Sequence, residues 1–211
     1  MEFQLCPSFD HSKLENPSFE DLVDIFEDMW FGYVFLPAKE LLKIPNGEVS
    51  AMTILSSYFE AIESYLSGES SENNSKEFFK KGFCKVFSSN SAGIEFLAGH
   101  FYKHVRCGLA HEGLLSYRVC YSANGSKPIV ATYPKKNGEL IFDKGVESII
   151  LNPHLIYNSL EYNLKKYISD LRSKKISEIN TNFEKSMRRQ LGGKTRELIA
   201  ALTEEEFLGK A

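Results

Sequence analysis

Phe101-Tyr102-Lys103-His104-Val105-Arg106-Cys107-Gly108-Leu109-Ala110-His111-Glu112-Gly113 closes a strongly helical stretch with an arginine and a histidine five positions apart. Apolar spacing predicts a helix over residues 92–108, and Gly108 and Gly113 mark where it weakens and stops. The arginine carries a planar fork suited to phosphate oxygens, and the histidine exchanges a proton near neutral pH. The pair therefore suffices for cleavage of RNA without a metal. A ribose 2′-hydroxyl attacks the neighbouring phosphorus, His111 moves a proton, and Arg106 stabilises charge on the phosphoryl oxygens. A regular helix, however, turns roughly 500° in five residues and leaves the two side chains about 140° apart. Either the helix distorts near Gly108, or two chains each supply one member of a composite site, which predicts a homodimer.

Upstream of this segment the pattern is helical. Ser18 followed by Asp21 imitates a capping box, and Phe19, Leu22, Val23, Phe26, Met29, Trp30 and Tyr33 continue at helical spacing, predicting a helix over 18–35. Pro37 interrupts or kinks it before residues 38–44 resume, and Pro45-Asn46-Gly47 signals a turn. A second helix is expected over 49–66, a polar surface loop over 67–75 and a third helix over 76–87, with Ser88-Ser89-Asn90-Ser91 able to cap the fourth. Downstream, period-two texture over 117–121, 129–133 and 140–142, broken at Asn124-Gly125 and Asn137-Gly138, predicts a small antiparallel meander. Asn152-Pro153 then caps a long helix that continues in pieces to Leu191. The expected fold is thus mainly α: four to five helices with a small antiparallel β-meander, at about residues 115–143, inserted between the motif helix and the last long helix. Residues 1–191 form one domain, and 192–211, beyond the Gly192-Gly193 break, a short tail.

With 211 residues, 43% hydrophobic and 25% charged, the chain has the balance of an ordinary globular protein with one full core. The longest apolar run, residues 29–38, has ten residues and includes Pro37, too short to span a bilayer. The first residues lack the basic and then apolar pattern of a secretory signal, so the expectation is a cytoplasmic protein. Cys6, Cys84, Cys107 and Cys120 are widely spaced and read as reduced and structural.

A net charge of −3 argues against coating nucleic acid by bulk attraction, but its distribution is uneven. Residues 1–77 carry 15 acidic and 4 basic side chains, and residues 165–196 carry 10 basic and 3 acidic. Two readings of the basic segment stand: a binding face for an anionic polymer or partner, or a helix that balances the protein's own acidic half.

Other motifs carry less. Gly192-Gly193-Lys194-Thr195 looks like the end of a phosphate-binding loop, but Arg188 stands where the leading glycine belongs and no buried strand precedes it. His100, His104 and His111 fall within about 40° of one another on a regular helix, yet no carboxylate or cysteine spacing completes a metal site, and no metal or cofactor is expected. Lys103 and Glu112 read as ordinary surface charges. In the β-insertion, Tyr117, Tyr121, Tyr133, Lys135 and Lys136 would suit either single-stranded RNA or the exposed face of a small sheet. The plain structural reading of the pair is that Arg106 meets an acidic residue of the first helix and His111 caps carbonyls of its own helix.

Arg106, four residues and His111 near the end of a helix in a small bundle resemble the active-site motif of the HEPN superfamily, the higher eukaryotes and prokaryotes nucleotide-binding domains. The resemblance covers residues 19–171 in architecture and 106–111 in specific residues. It implies a HEPN-like bundle, a transition-state role for Arg106 and a proton-transfer role for His111. It also implies a homodimer with the two motifs facing one cleft. The activity it suggests is a metal-independent endoribonuclease of a toxin-antitoxin or antiphage defence system, with an antitoxin or nucleotidyltransferase as possible partner. Family members that have lost catalysis bind RNA, nucleotide or protein instead. The position after the arginine, often Asn, Asp or His in the family, is Cys107 here, and a thiol is a weak hydrogen-bonding group.

Overall fold

The Ser18 and Asp21 side chains and backbones satisfy one another reciprocally: Asp21 N–H donates to Ser18 Oγ at 3.1 Å and Ser18 N–H to Asp21 Oδ2 at 3.0 Å. This capping box starts α1 (Phe19–Trp30) in a computed structural model of the chain that describes residues 6–8, 16–87, 93–113, 115–191, 203, 205 and 209. The expected break at Pro37 is absorbed differently. A π-wound stretch, Phe31–Phe35, in which Leu36 N–H donates to Phe31 O, passes directly into α2 (Leu36–Leu41). The wider turn makes room for a proline ring that would strike the carbonyl four residues back in a tight one.

The helix predicted over 49–66 is two helices, α3 (Glu48–Leu55) and α4 (Tyr58–Ser67). They part at Ser56 and Ser57, whose hydroxyls donate to the carbonyls of Thr53 and Ile54, a competition with the backbone ladder that bends helices. Gly68, at φ 72°, ends α4 in the left-handed conformation. α5 (Ser75–Val86) runs back along α4, and α6 (Ile94–Phe101) carries the chain to the motif. The predicted serine cap at 88–91 lies outside the described residues. The predicted cap at Asn152 is present: its Oδ1 accepts from Leu155 N–H at 3.2 Å and opens α7 (Pro153–Ser173), and α8 (Ser177–Leu191) follows. The Gly192-Gly193 break and the phosphate-loop look-alike lie outside the described residues.

The chain is mainly helical, but the insertion is not a meander. β1 (Val119–Tyr121) and β2 (Ile129–Thr132) do not pair with each other. Both flank β5 (Ser148–Leu151), β1 in parallel and β2 antiparallel. The third predicted strand, 140–142, shrinks to one arm of a separate hairpin, β3 (Lys135–Lys136) with β4 (Glu139–Leu140). Asn137 and Gly138, both at positive φ, make its two-residue turn as their sequence suggests. The insertion therefore reaches Leu151, beyond the expected end at 143.

The core is aromatic. Phe26 packs edge-on against Tyr65 at 4.7 Å and Phe183 at 5.4 Å, and Phe59 meets Phe79 at 5.1 Å and Phe83 at 5.2 Å. Such pairs add about 0.5–1.5 kcal/mol each beyond the area they bury. α4 is the central helix, holding α5 on one side and α8 on another. Its carbonyl at Ser64 accepts from the buried Ser186 hydroxyl at 2.8 Å. Among the described residues, no helix is long and apolar enough to cross a membrane.

The basic C-terminal region is balanced partly by the protein's acidic half and partly by carboxylates of its own helices. Arg172 reaches Asp24 at 2.8 Å and Glu27 at 2.6 Å, and Lys174 pairs with Glu20. Lys166 and Arg188 pair with Asp170 and Glu184 on their own helices. Of the two readings of that segment, internal balance describes these residues.

Candidate functional site

The motif helix does not stay regular. After α6 the chain is π-wound over Tyr102–Arg106 and again over Gly108–Glu112, and Cys107 N–H donates to Tyr102 O five residues back. Because such a hydrogen bond closes a turn of more than four residues, positions five apart return nearly above one another. A regular helix would leave Arg106 and His111 about 140° out of phase. The winding therefore brings the two into closer phase, and of the two routes left open by the sequence it follows the distorted helix end. Gly113, at φ 68°, terminates the segment.

Arg106 lies where α4, α5 and the motif helix meet. Its Nη2 is 3.5 Å from Glu60 Oε2, and its guanidinium stands over the Tyr102 ring, 5.6 Å from the centroid. The same Glu60 oxygen accepts the Ser75 hydroxyl at 2.5 Å, and Tyr102 donates to Ser75 Oγ at 3.3 Å. Glu60 comes from the first turn of α4 and Ser75 is the first residue of α5, so the close packing of those helices builds the cradle. The arginine side chain keeps 26% of its surface and the carboxylate 20%. The acidic partner expected from the first helix is instead this residue of α4. Arg106 has no other hydrogen-bond or ion-pair partner among the described residues, so one end of its five-donor fork is engaged and the rest can take phosphoryl oxygens.

His111 is exposed and makes no hydrogen bond to another described residue, so it does not cap its helix. Cys107, beside Arg106, is half-buried. Lys103 is exposed, without an ion pair among the described residues.

The opposite side of the motif helix meets the sheet. The His100 and His104 rings stack at 6.0 Å, and His100 lies 6.1 Å from the Tyr133 ring. Burial first, then the charge of Lys103, holds both imidazoles below their ordinary value, with Arg118 adding to the effect. The π-winding takes His111 out of the stripe that a regular helix would have given it with His100 and His104. Among the described residues no three His, Cys, Asp or Glu side chains are grouped as metal ligands.

Tyr117, Tyr121, Tyr133, Lys135 and Lys136 do not form one platform. Tyr121 and Tyr133 turn inward, each with a buried hydroxyl, while Tyr117 is exposed, accepts from Arg118 Nε at 3.0 Å and stands apart. Only Lys135 and Lys136, on β3, remain as exposed charges of that set.

Sequence reasoning missed Glu60, Ser75 and Tyr102. Glu60 is 46 residues from Arg106, and nothing local marks it. Comparison with known proteins adds no family: no family model, no curated protein and no solved structure matches the chain.

Proposed function

We propose that the chain is a HEPN-like, metal-independent endoribonuclease with Arg106 and His111 as its catalytic pair, working as the homodimer that the resemblance implies. The observation that carries this reading is the π-wound end of the motif helix, which narrows the phase difference between the two side chains. An exposed imidazole and a partly engaged guanidinium then border the same helix end.

In the proposed reaction the ribose O2′ attacks the adjacent phosphorus, the P–O5′ bond breaks, and the O2′ proton passes to His111. A proton returned to O5′ completes the leaving group, giving a 2′,3′-cyclic phosphate and a 5′-hydroxyl. Arg106 would hold the non-bridging oxygens as charge builds on them, the kind of contact that is stronger in the transition state than before it. Glu60 and Ser75 would aim the guanidinium; they do not touch substrate. Defence against phage or a toxin-antitoxin pairing is the setting that the resemblance suggests.

A second reading has its own support. Glu60 offsets part of the Arg106 charge, as suits a module that binds RNA, a nucleotide or a protein partner without cleaving. Purified protein incubated with RNA in EDTA separates the two, alongside Arg106→Ala and His111→Ala. Cleavage by the wild type that both variants lose supports the nuclease. No cleavage by any, or equal cleavage by all, refutes it, and RNA binding without turnover favours the module.

A further inference from the structure

Where the α5–α6 corner faces the sheet there is a cavity of about 590 Å³, separate from the Arg106 cradle. Phe83, Phe87 and Leu97 form one wall, and Ile129, Ala131 and Phe142 the other. Its size falls within the roughly 300–1,000 Å³ of small-molecule sites, which are mostly apolar with a few placed polar groups. Two polar groups are placed here. Tyr133 lines the cavity with only 9% of its surface exposed, and its buried hydroxyl has no hydrogen-bond partner among the described residues. Lys127 is the only charged side chain among the lining residues, and it is exposed.

A buried hydroxyl without a partner is costly, and a ligand acceptor removes that cost. An apolar cavity with one ammonium group favours an apolar body bearing one negative charge. We propose that this cavity binds a small amphiphilic acid, with an aromatic or branched aliphatic body between the two apolar walls, its acidic group at Lys127 and an oxygen on the Tyr133 hydroxyl. A nucleobase fits less well: its several edge donors and acceptors would meet one hydroxyl and otherwise carbon. The site is independent of the nuclease reading, because none of its lining residues belongs to the Arg106 cradle.

The test uses the full chain with naphthalene-2-carboxylate as probe and naphthalene-2-carboxamide as its uncharged match, titrated by calorimetry. The expected result is saturable 1:1 binding of the carboxylate, at least about fivefold tighter than the amide. Lys127→Ala should weaken it about fivefold and erase the preference, and Tyr133→Phe should weaken both ligands about threefold or more. Ala131→Trp and Leu97→Trp fill the cavity from opposite walls, and whichever folds by circular dichroism should bind at least tenfold more weakly. Lys127→Ala alters an exposed side chain and keeps the test decisive if both tryptophan variants fail to fold. No saturable binding up to millimolar probe, or binding indifferent to Lys127→Ala, overturns the proposal.

Discussion

Gly82 sets how closely α4 and α5 approach, and its replacement gives the sharpest test of the packing beneath the site. A Cβ built there would lie 1.8 Å from the Phe59 carbonyl oxygen, 2.8 Å from its carbon and 3.1 Å from Ile62 Cγ2. Close carbon–oxygen contacts are about 3.3 Å or longer, so Gly82→Ala must part the two backbones by about 1.5 Å. A gap of 0.5–1 Å already forfeits a quarter to a half of each dispersion contact across it, and overpacking itself costs about 1–3 kcal/mol. Against this, alanine is favoured over glycine in a helix by about 1 kcal/mol. A 1.5 Å displacement belongs at the upper end of the overpacking range, so the net expected loss is about 2 kcal/mol, or a fall of about 4–8 °C in Tm at 2–4 °C per kcal/mol for a chain of this size. Gly99 is the matched control: it sits in α6 with nothing within 4 Å of an added Cβ. Gly99→Ala should therefore raise Tm by a few degrees. Scanning calorimetry of the two variants decides the matter. A Gly82→Ala protein within 2 °C of wild type, or both substitutions shifting Tm the same way, would refute the α4–α5 packing and with it the geometry that brings Glu60 to Ser75.

Glu60→Ala removes the Arg106 pair and the acceptor of the 2.5 Å Ser75 bond; for side chains that keep about a quarter of their surface, the loss should be about 1–2 kcal/mol by urea unfolding. A double-mutant cycle with Arg106→Ala should return a coupling of about 0.5–1 kcal/mol, whereas strict additivity would mean the pair is not formed. His100 and His104 are both held below 6.5, so on acidification the unfolded chain takes up protons before the folded one. Stability from these two groups is fully present above about pH 6.5 and is lost as pH falls through and below it. Urea midpoints at pH 7.5 and 5.0 should show a smaller acid-induced drop in a His100→Asn, His104→Asn variant than in wild type; an equal drop places the pH response elsewhere.

What the sequence disclosed was local. Ser18 with Asp21, Asn137-Gly138 and Asn152-Pro153 each announce their own hydrogen bonds within a few residues, and each is found where expected. Ser-Ile-Ile-Leu at 148–151 was opaque, because its apolar run lacks alternation and its two partners lie 16 to 30 residues upstream. Asn124-Gly125 reads as a hairpin turn, yet Asn152 captures this loop instead, donating through Nδ2 to the carbonyls of Ala123 and Gly125. That capture directs β1 and β2 to opposite edges of β5. For the site, Arg106 and His111 could be chosen from residue chemistry and spacing, and the phase argument required either a distortion near Gly108 or a second chain. It could not specify the π-winding, which two separate stretches of backbone adopt in the folded chain. The cradle of Glu60, Ser75 and Tyr102 depends on the approach of α4 to α5, to which Gly82 contributes only after folding.

The central claim, 2′-hydroxyl attack promoted by Arg106 and His111, is tested most directly by the chemistry of the cut ends. A labelled RNA oligonucleotide and its fully 2′-O-methylated counterpart are incubated with the protein in EDTA, and the products are weighed by mass spectrometry. The account predicts 2′,3′-cyclic phosphate and 5′-hydroxyl ends from the RNA and no cleavage of the methylated strand. Folded Arg106→Ala and His111→Ala proteins should each lose at least about a hundredfold in rate, the scale of a single lost general acid–base or oxyanion contact. Cleavage of the methylated strand, or ends bearing a 5′-phosphate, would contradict it.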